Sequence, residues 1–307
     1  MKTASNAIVV AVGPDGADSA LRFALDEARL RHCPVHLVHV LQITSGEAYA
    51  GVYEGALEAA QTTLATALDR AAELAEGDVA VTGEVVDTGW VVGDLAHHTG
   101  DAALLVLQRR PLGRLHRLLT GSVTRGVAGR AHVPVVAVPA GWTHDELRPR
   151  VVTVAVQDPD GAPALVRTAL EEAQARRAAV VVLHAWWFAP GPDAHVVDPA
   201  FSFEWSGHAR HDLEGVLEPL RREFPLVELS LAVRHAPPVD TLLSATESSD
   251  LMVLGRHHHL LPLGSHLGPV ARGVLARSAC PVMLVPEPSG DSAPRLVTDR
   301  PTPLGTA

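Results

Sequence analysis

Short unbroken apolar runs alternate along this chain with longer stretches in which apolar residues return every three or four positions. Ile8–Val12, Val35–Val40, Val81–Val86, Leu104–Leu107 and Pro134–Val138 are the first such runs, dominated by valine and leucine. Continuous runs of this kind mark strands buried on both faces of a parallel sheet. A helix is predicted to begin near Asp18 or Ser19, both good N-caps, with Leu21, Leu25 and Ala28 on one face. The turn Gly13-Pro14-Asp15-Gly16 separates it from the first strand, and residues 41–53 read as an irregular, glycine-bearing loop. A long helix follows, carrying Leu57, Leu64, Leu68, Ala71 and Leu74, and it stops near Gly77. Val91–Thr99 and the segment after Gly121 are predicted as short helices.

The same order then returns. Residues 140–150 lose the apolar pattern and read as a linker. Strands are predicted at Val151–Val156, Ala179–Leu183, Val227–Val233, Leu251–Leu254 and Val282–Val285. Helices are predicted over Ala164–Arg177, His208–Glu223 and Val239–Glu247 and after Gly268, with a loop at 186–206 rich in Pro, Gly and aromatics. The register is clearest between Leu104–Pro139 and Leu251–Pro286, where Gln108 matches Gly255, Gly121 matches Gly268 and Pro134 matches Pro281, each pair 147 residues apart. A strand–loop–helix–strand unit repeated without a slip is a tandem duplication. The fold class is therefore α/β: two doubly wound domains, residues 1–139 and 151–286, each a five-stranded parallel sheet flanked by helices. The tail 287–307 has the composition of a disordered segment. In open sheets of this type a ligand sits beyond the carboxyl ends of the strands, where the strand order reverses.

Composition narrows the function. Apolar residues make up 47% of the 307 positions and aromatics only 4%, so the cores are built from Val, Leu and Ala. A net charge of −10 argues against nucleic acid or an anionic membrane as partner. Two cysteines in different repeats, Cys33 and Cys280, suit a reducing compartment and are expected to be buried hydrophobes. The N-terminus lacks a signal-peptide pattern and no apolar stretch is long enough to span a bilayer, so a cytoplasmic location is expected. Asp26, Glu27, Glu171 and Glu172 read as solubilising charge on exposed helix faces, and Trp186, Trp187 and Trp205 as packing residues around the long loop.

The strand-four loop, the Gly121-Ser122 helix start and the endings HVPVVAVP and ACPVMLVP resemble the universal stress protein family in its tandem two-domain form, over about residues 6–139 and 150–286. The resemblance implies an adenine nucleotide alpha hydrolase-like fold. Some members of that family bind ATP through a Gly-x2-Gly-x9-Gly-Ser/Thr signature after strand four and an Asp ending strand one. Glycines let backbone amides approach phosphate oxygens, and a helix start presents free N–H groups to the anion. The first repeat keeps Gly121, Ser122, Val123 and Thr124, but has Gln108 and Pro111 at the loop glycine positions and Gly13 at the Asp position, with Asp15 two residues on. The second keeps Gly255 and Gly268, with His258 and Pro269 replacing the other signature residues and Gln157, beside Asp158, at the Asp position.

The resemblance thus implies ATP, with Mg, in the first repeat. Val40 would contact adenine and Gly121 and Ser122 the phosphates, with Val123 and Thr124 as neighbours. Val12 with Gly13 and Leu107 with Gln108 close the strand ends. Arg109, Arg110 and Arg114 could add charge-assisted contacts. It also implies association through the fifth strands, Val133–Val138 and Val282–Val285, either between the two repeats or between chains of a homo-oligomer, since an exposed apolar edge must be covered. Two other readings stand beside this one. One is a regulatory or scaffolding dimer module that has dropped the nucleotide. The other is metal or anion capture by His257, His258 and His259, among 17 histidines in the chain. The motifs of serine hydrolases, Walker-type ATPases and zinc peptidases are lacking, so no enzyme is expected, slow ATP hydrolysis apart.

Overall fold

The two predicted five-stranded sheets are one sheet. A computed structural model of the chain describes residues 6–41, 50–87, 91–109, 126–127, 129–145, 150–187, 199–256 and 267–286. The first repeat comprises β1 (Ile8–Ala11), α1 (Asp18–Arg31), β2 (Val35–Val40), α2 (Ala50–Ala75), β3 (Val81–Val86), α3 (Val91–His98), β4 (Leu104–Arg109) and β5 (Val135–Pro139). The second comprises β6 (Val151–Ala155), α4 (Ala162–Arg176), β7 (Ala179–Trp186), α5 (Pro199–Glu223), β8 (Leu229–His235), α6 (Pro238–Thr246), β9 (Leu251–Arg256), α7 (Pro269–Arg277) and β10 (Val282–Pro286). Strand order is β3-β2-β1-β4-β5-β10-β9-β6-β7-β8, parallel within each repeat.

The join is antiparallel, with Val282 opposite Ala137, Met283 opposite Val136 and Leu284 opposite Val135. These residues are fully buried, so the strand-five edges cover each other and their backbone groups pair. Of the two expected associations, the structure contains the one within the chain. It leaves no strand-five edge for a second molecule; the sheet ends on β3 and β8.

Because the strands are buried on both faces, alternate side chains feed two cores, and each core runs unbroken through both repeats. On one face Val10, Val106 and Val136 meet α1 and α2, and Val154, Val182 and Val253 meet α4 and α5. On the other, Leu105, Leu107 and Ala137 pack with Leu95 of α3 and Val127, and Met252 and Leu254 with Leu242 of α6 and Val274 of α7.

The starts of two helices depart furthest from the sequence expectation. α2 begins at Ala50 and α5 at Pro199, so the ends of the predicted loops 41–53 and 186–206 are helical. Proline is well tolerated in a first helical turn. In α5 the spacing of buried Leu213, Leu217 and Leu220 anchors turns whose N-terminal extension looks like loop by composition alone. α1 begins at Asp18, as expected, but its N-cap is Ala17, which has no capping side chain of its own.

The carboxylates expected on the surface form the largest correction. Glu27 and Glu172 are 2% and 7% exposed. α1 and α4 meet across the join, and Arg31 and Arg176 each pair with both acids. The Arg31 Nε to Glu27 distance is 3.1 Å. The four residues close a charge-neutral ring in which each repeat supplies one acid and one base to the other. Burial raises the Glu27 carboxyl above its ordinary range; for Glu172 burial is outweighed by Arg176 and Arg31, and the carboxyl is lowered.

Residues 140–145 of the linker are docked. Trp142 packs edge-on against Phe23, with ring centroids 5.7 Å apart, and His144 lies 3.8 Å from the Asp250 carboxylate of the second repeat. A cavity of about 160 Å³ under this strap, lined by Trp142, His144, Asp250 and Cys280 among others, lies at the amino end of β9, away from the predicted site.

Candidate functional site

In the first repeat the chain steps from β1 outward to β2 and β3, and from β4 the other way to β5, so the order reverses between β1 and β4. A crevice at such a point is where open α/β sheets bind ligands. Registers that pair Ala11 with Val38 and with Leu107 place the ends of β1, β2 and β4 along one edge. Val12, Gly13, Val40, Leu107 and Gln108 are therefore brought together there, as the resemblance implies.

Each is held by a nameable contact. Val12 continues the β1 ladder, donating its N–H to the Val38 carbonyl at 2.9 Å. Its carbonyl accepts from His39 Nδ1 at 2.9 Å, which puts the ring proton on that nitrogen. His184 makes the same bond to Val156 in the second repeat, 3.0 Å. These buried histidines pin the residue that follows the first strand of each repeat, a role that sequence reasoning missed. Gly16 donates to the Gly13 carbonyl at 3.0 Å and has φ +82°, so the turn closes tightly and Asp15 stays in its exposed part. Val40 and Leu107 are buried in the core layer that also contains Val127.

Gln108 is the informative departure. By its sequence position it places a side chain where the signature has glycine. The structure turns that side chain to the start of α1, where Oε1 accepts from the amides of Ser19 at 2.8 Å and Ala20 at 3.4 Å. It supplies the cap that Ala17 cannot. In the second repeat, a Cβ at Gly255 would meet only Leu165 among the described residues, at an ordinary 3.5 Å.

Gly121, Ser122, Val123 and Thr124 lie outside the described residues, as do Pro111, Arg110 and Arg114. The helix they would start is described at residues 126–127 and 129–130. It passes close to α3: a Cβ on Gly126 would come within 3.0 Å of Val92, and one on Gly273 within 2.9 Å of Val239, its counterpart 147 residues on. Gly268 is the N-cap of α7, extended at φ −62° and ψ 165°, with open space in front of it and Pro269 at the first helical position. Asp158, beside the second repeat's strand-one Asp position, accepts from the Gly161 amide at 3.0 Å within its own turn.

Arg109 does not face a ligand in the first crevice. Its guanidinium crosses to the second repeat and donates to the carbonyls of Ala276, at 2.5 Å, and Ser278. Arg256 crosses the other way, donating to the Ala131 carbonyl at 2.6 Å. Burial lowers the pKa of both arginines from the ordinary guanidinium value. Both follow directly the Gln108/Gly255 match, so extending that alignment by one residue shows the arginine repeated, although not where it points.

At the corresponding edge of the second repeat, Trp186 is buried and stacked on His235 at 4.0 Å, while Trp187 and Trp205 stay about half exposed. Cys33 and Cys280 are both buried, as expected. No group of three or more His, Cys, Asp or Glu poised for a metal occurs among the described residues; His257, His258 and His259 lie outside them. No helix among the described residues is long and apolar enough to cross a membrane.

Comparison with known proteins agrees with the fold. The model of the Universal stress protein family matches residues 5–139 and 149–286. A universal stress protein of Mycolicibacterium smegmatis is 28% identical over 90% of this chain and 96% of its own length. One from Mycobacterium tuberculosis is 28% identical over 93% of this chain and 97% of its own. Among solved structures, a universal stress protein from Archaeoglobus fulgidus superposes with a TM-score of 0.71 at 16% identity, covering 93% of this chain and all of that one.

Proposed function

The chain belongs to the universal stress protein family, and on that premise we propose that it is a non-catalytic binder of an adenine nucleotide, ATP with Mg, held in the first repeat. The observation that carries this reading is the crevice at the reversal of strand order between β1 and β4, beside which Gln108, the residue replacing a loop glycine, is committed to the start of α1. At this edge Val12 with Gly13 is flanked by Val40 and Leu107, an apolar set that suits a planar base. Gly121 and Ser122 would supply amides and a hydroxyl to the phosphates, with Val123 and Thr124 following in the same turn. Mg would ride on the phosphates. The proposed role is that of a sensor whose conformation depends on occupancy.

The second repeat is proposed to have given up the nucleotide and to serve the first. Pro269 removes a hydroxyl and an N–H at the helix start, and Asp158 is engaged in its own turn. Two measurements test the reading. Protein purified without added nucleotide should show absorbance at 260 nm above that of its own tryptophans and tyrosines, or should gain thermal stability on adding ATP and Mg. Ser122→Ala should reduce the gain and Gly121→Asp, which sets a carboxylate among the phosphate-facing amides, should abolish it. A melting temperature indifferent to millimolar ATP in a protein free of nucleotide would sink the proposal.

A further inference from the structure

His36 stands in β2 with its ring buried, and β3 lays two polar side chains against it. Residues two apart on a strand share a face, and the register sets Thr82 opposite His36 with Glu84 next along the same side. His36 Nδ1 lies 2.8 Å from the Thr82 hydroxyl, and Nε2 lies 3.3 Å from Glu84 Oε1. An ionised carboxylate only accepts, so Nε2 carries the proton and Nδ1 presents its lone pair to Thr82. The hydroxyl therefore donates to the imidazole. A hydroxyl on a base that a carboxylate holds in one tautomer is the arrangement that makes an alcohol nucleophilic. Thr82 is exposed, so an incoming group can reach it.

The fold does not require this trio, because the second repeat lacks it. His39 and His184 make equivalent bonds to Val12 and Val156, which aligns β2 with β7. Three residues back from each, His36 corresponds to Val181, whose partner on β8 is Ser230. Ala232 stands where the first repeat has Glu84. Ser230 is also exposed, and its hydroxyl donates to the Val180 carbonyl at 3.3 Å. One chain thus carries the same surface hydroxyl twice, with a base and an acid behind it only once.

The backbone adds a donor. The Val35 amide bonds the Ala80 carbonyl at 2.9 Å and the Leu41 amide the Val86 carbonyl at 2.8 Å, so even-numbered residues of β3 face β2. Odd-numbered ones face the free edge of the sheet, which directs outward the amide of Gly83, the residue after Thr82. There it can donate to an oxygen that gains charge. Glu84 beside the hydroxyl repels an anionic phosphoryl donor, while a neutral carbonyl approaches unopposed. We propose that Thr82 is an acyl-acceptor site. Its Oγ1 bonds to the carbonyl carbon of an activated ester or thioester, and its proton passes to His36 Nδ1. The C–O or C–S bond to the leaving group breaks, and that group takes the proton from His36. One O-acyl threonine and one alcohol or thiol result, with no further reactant. The site does not depend on the nucleotide reading.

The experiment treats the full chain with p-nitrophenyl acetate, follows nitrophenol release, and locates acetyl groups by peptide mass mapping. Competing amines are few, since the chain has a single lysine, Lys2. Wild type should take up one acetyl group on Thr82 and leave Ser230 unlabelled. Thr82→Ser should keep the label and Thr82→Val should lose it. His36→Val and Glu84→Ala, which copy the second repeat's residues, should each slow labelling about a hundredfold while circular dichroism stays that of the folded chain. Should either variant unfold, the contrast between Thr82 and Ser230 in the wild type decides alone. Acetyl groups confined to Lys2 or the amino terminus, labelling of Ser230 equal to that of Thr82, or a folded His36→Val that labels at the wild-type rate overturns the proposal.

Discussion

His32 and Arg177 terminate α1 and α4 in the left-handed region, at φ +51° and +53°, and both are exposed. An L-residue pays for that conformation and glycine does not, so Arg177→Gly should stabilise the protein by about 0.5–1 kcal/mol, read in a denaturant midpoint. The Cys280 thiol is pushed up to about 12 by burial. Its folded pKa is above the unfolded one, so its contribution to stability is intact below about pH 9 and drains away between 9 and 12. Native protein at pH 8 should accordingly resist alkylation at Cys280, and Cys280→Ser should flatten that alkaline loss. Burial of both cysteines was legible in the sequence, since each precedes a proline at a strand start. Burial of Glu27 and Glu172 was not. Asp26-Glu27 and Glu171-Glu172 read as solvated doublets until a second helix brings Arg176 and Arg31 within reach, and that helix belongs to the other repeat.

At the scale of elements, the ring between α1 and α4 and the close approach of α6 and α7 carry the predictions. Removing one arginine leaves a buried carboxylate short of its partner, so Arg176→Met should cost about 3–5 kcal/mol in equilibrium unfolding. Replacing both acids and both bases by apolar residues of similar volume should cost far less, because the desolvation penalty disappears with the pair. Gly273 faces Val239 at 2.9 Å for an added Cβ, and Gly273→Val should destabilise by about 1–3 kcal/mol through overpacking. Most elements could be read from apolar runs and helical spacing, because strands buried on both faces leave an unmistakable pattern. The starts of α2 and α5 could not. Ser45, Gly46 and Gly51 before and at the start of α2, and proline and aromatics near residue 199, give turn-like composition, while the leucines that commit each helix to the sheet lie further along it. The departure at Gln108 was visible but its direction was not, since a strand residue may point to either face and only the register with α1 decides.

For the molecule as a whole, the duplication was legible from a 147-residue register, but the way the repeats meet was not. Pairing within the chain and pairing between chains satisfy the same need to cover an apolar edge. The structure chooses the first, and both cores run through the join. The two repeats should therefore unfold in one transition, and Met283→Ala at the join should cost about 2–5 kcal/mol while keeping that transition single. Separate melting of the repeats would contradict this. With two crevices but a Gly-Ser helix start in only one repeat, the chain should hold a single nucleotide. Calorimetric titration with ATP and Mg tests it most directly, on the wild type beside Gly121→Asp and Gly268→Asp. One nucleotide should bind per chain, lost in Gly121→Asp and retained in Gly268→Asp. No heat at millimolar ATP, or binding lost only in Gly268→Asp, would contradict it.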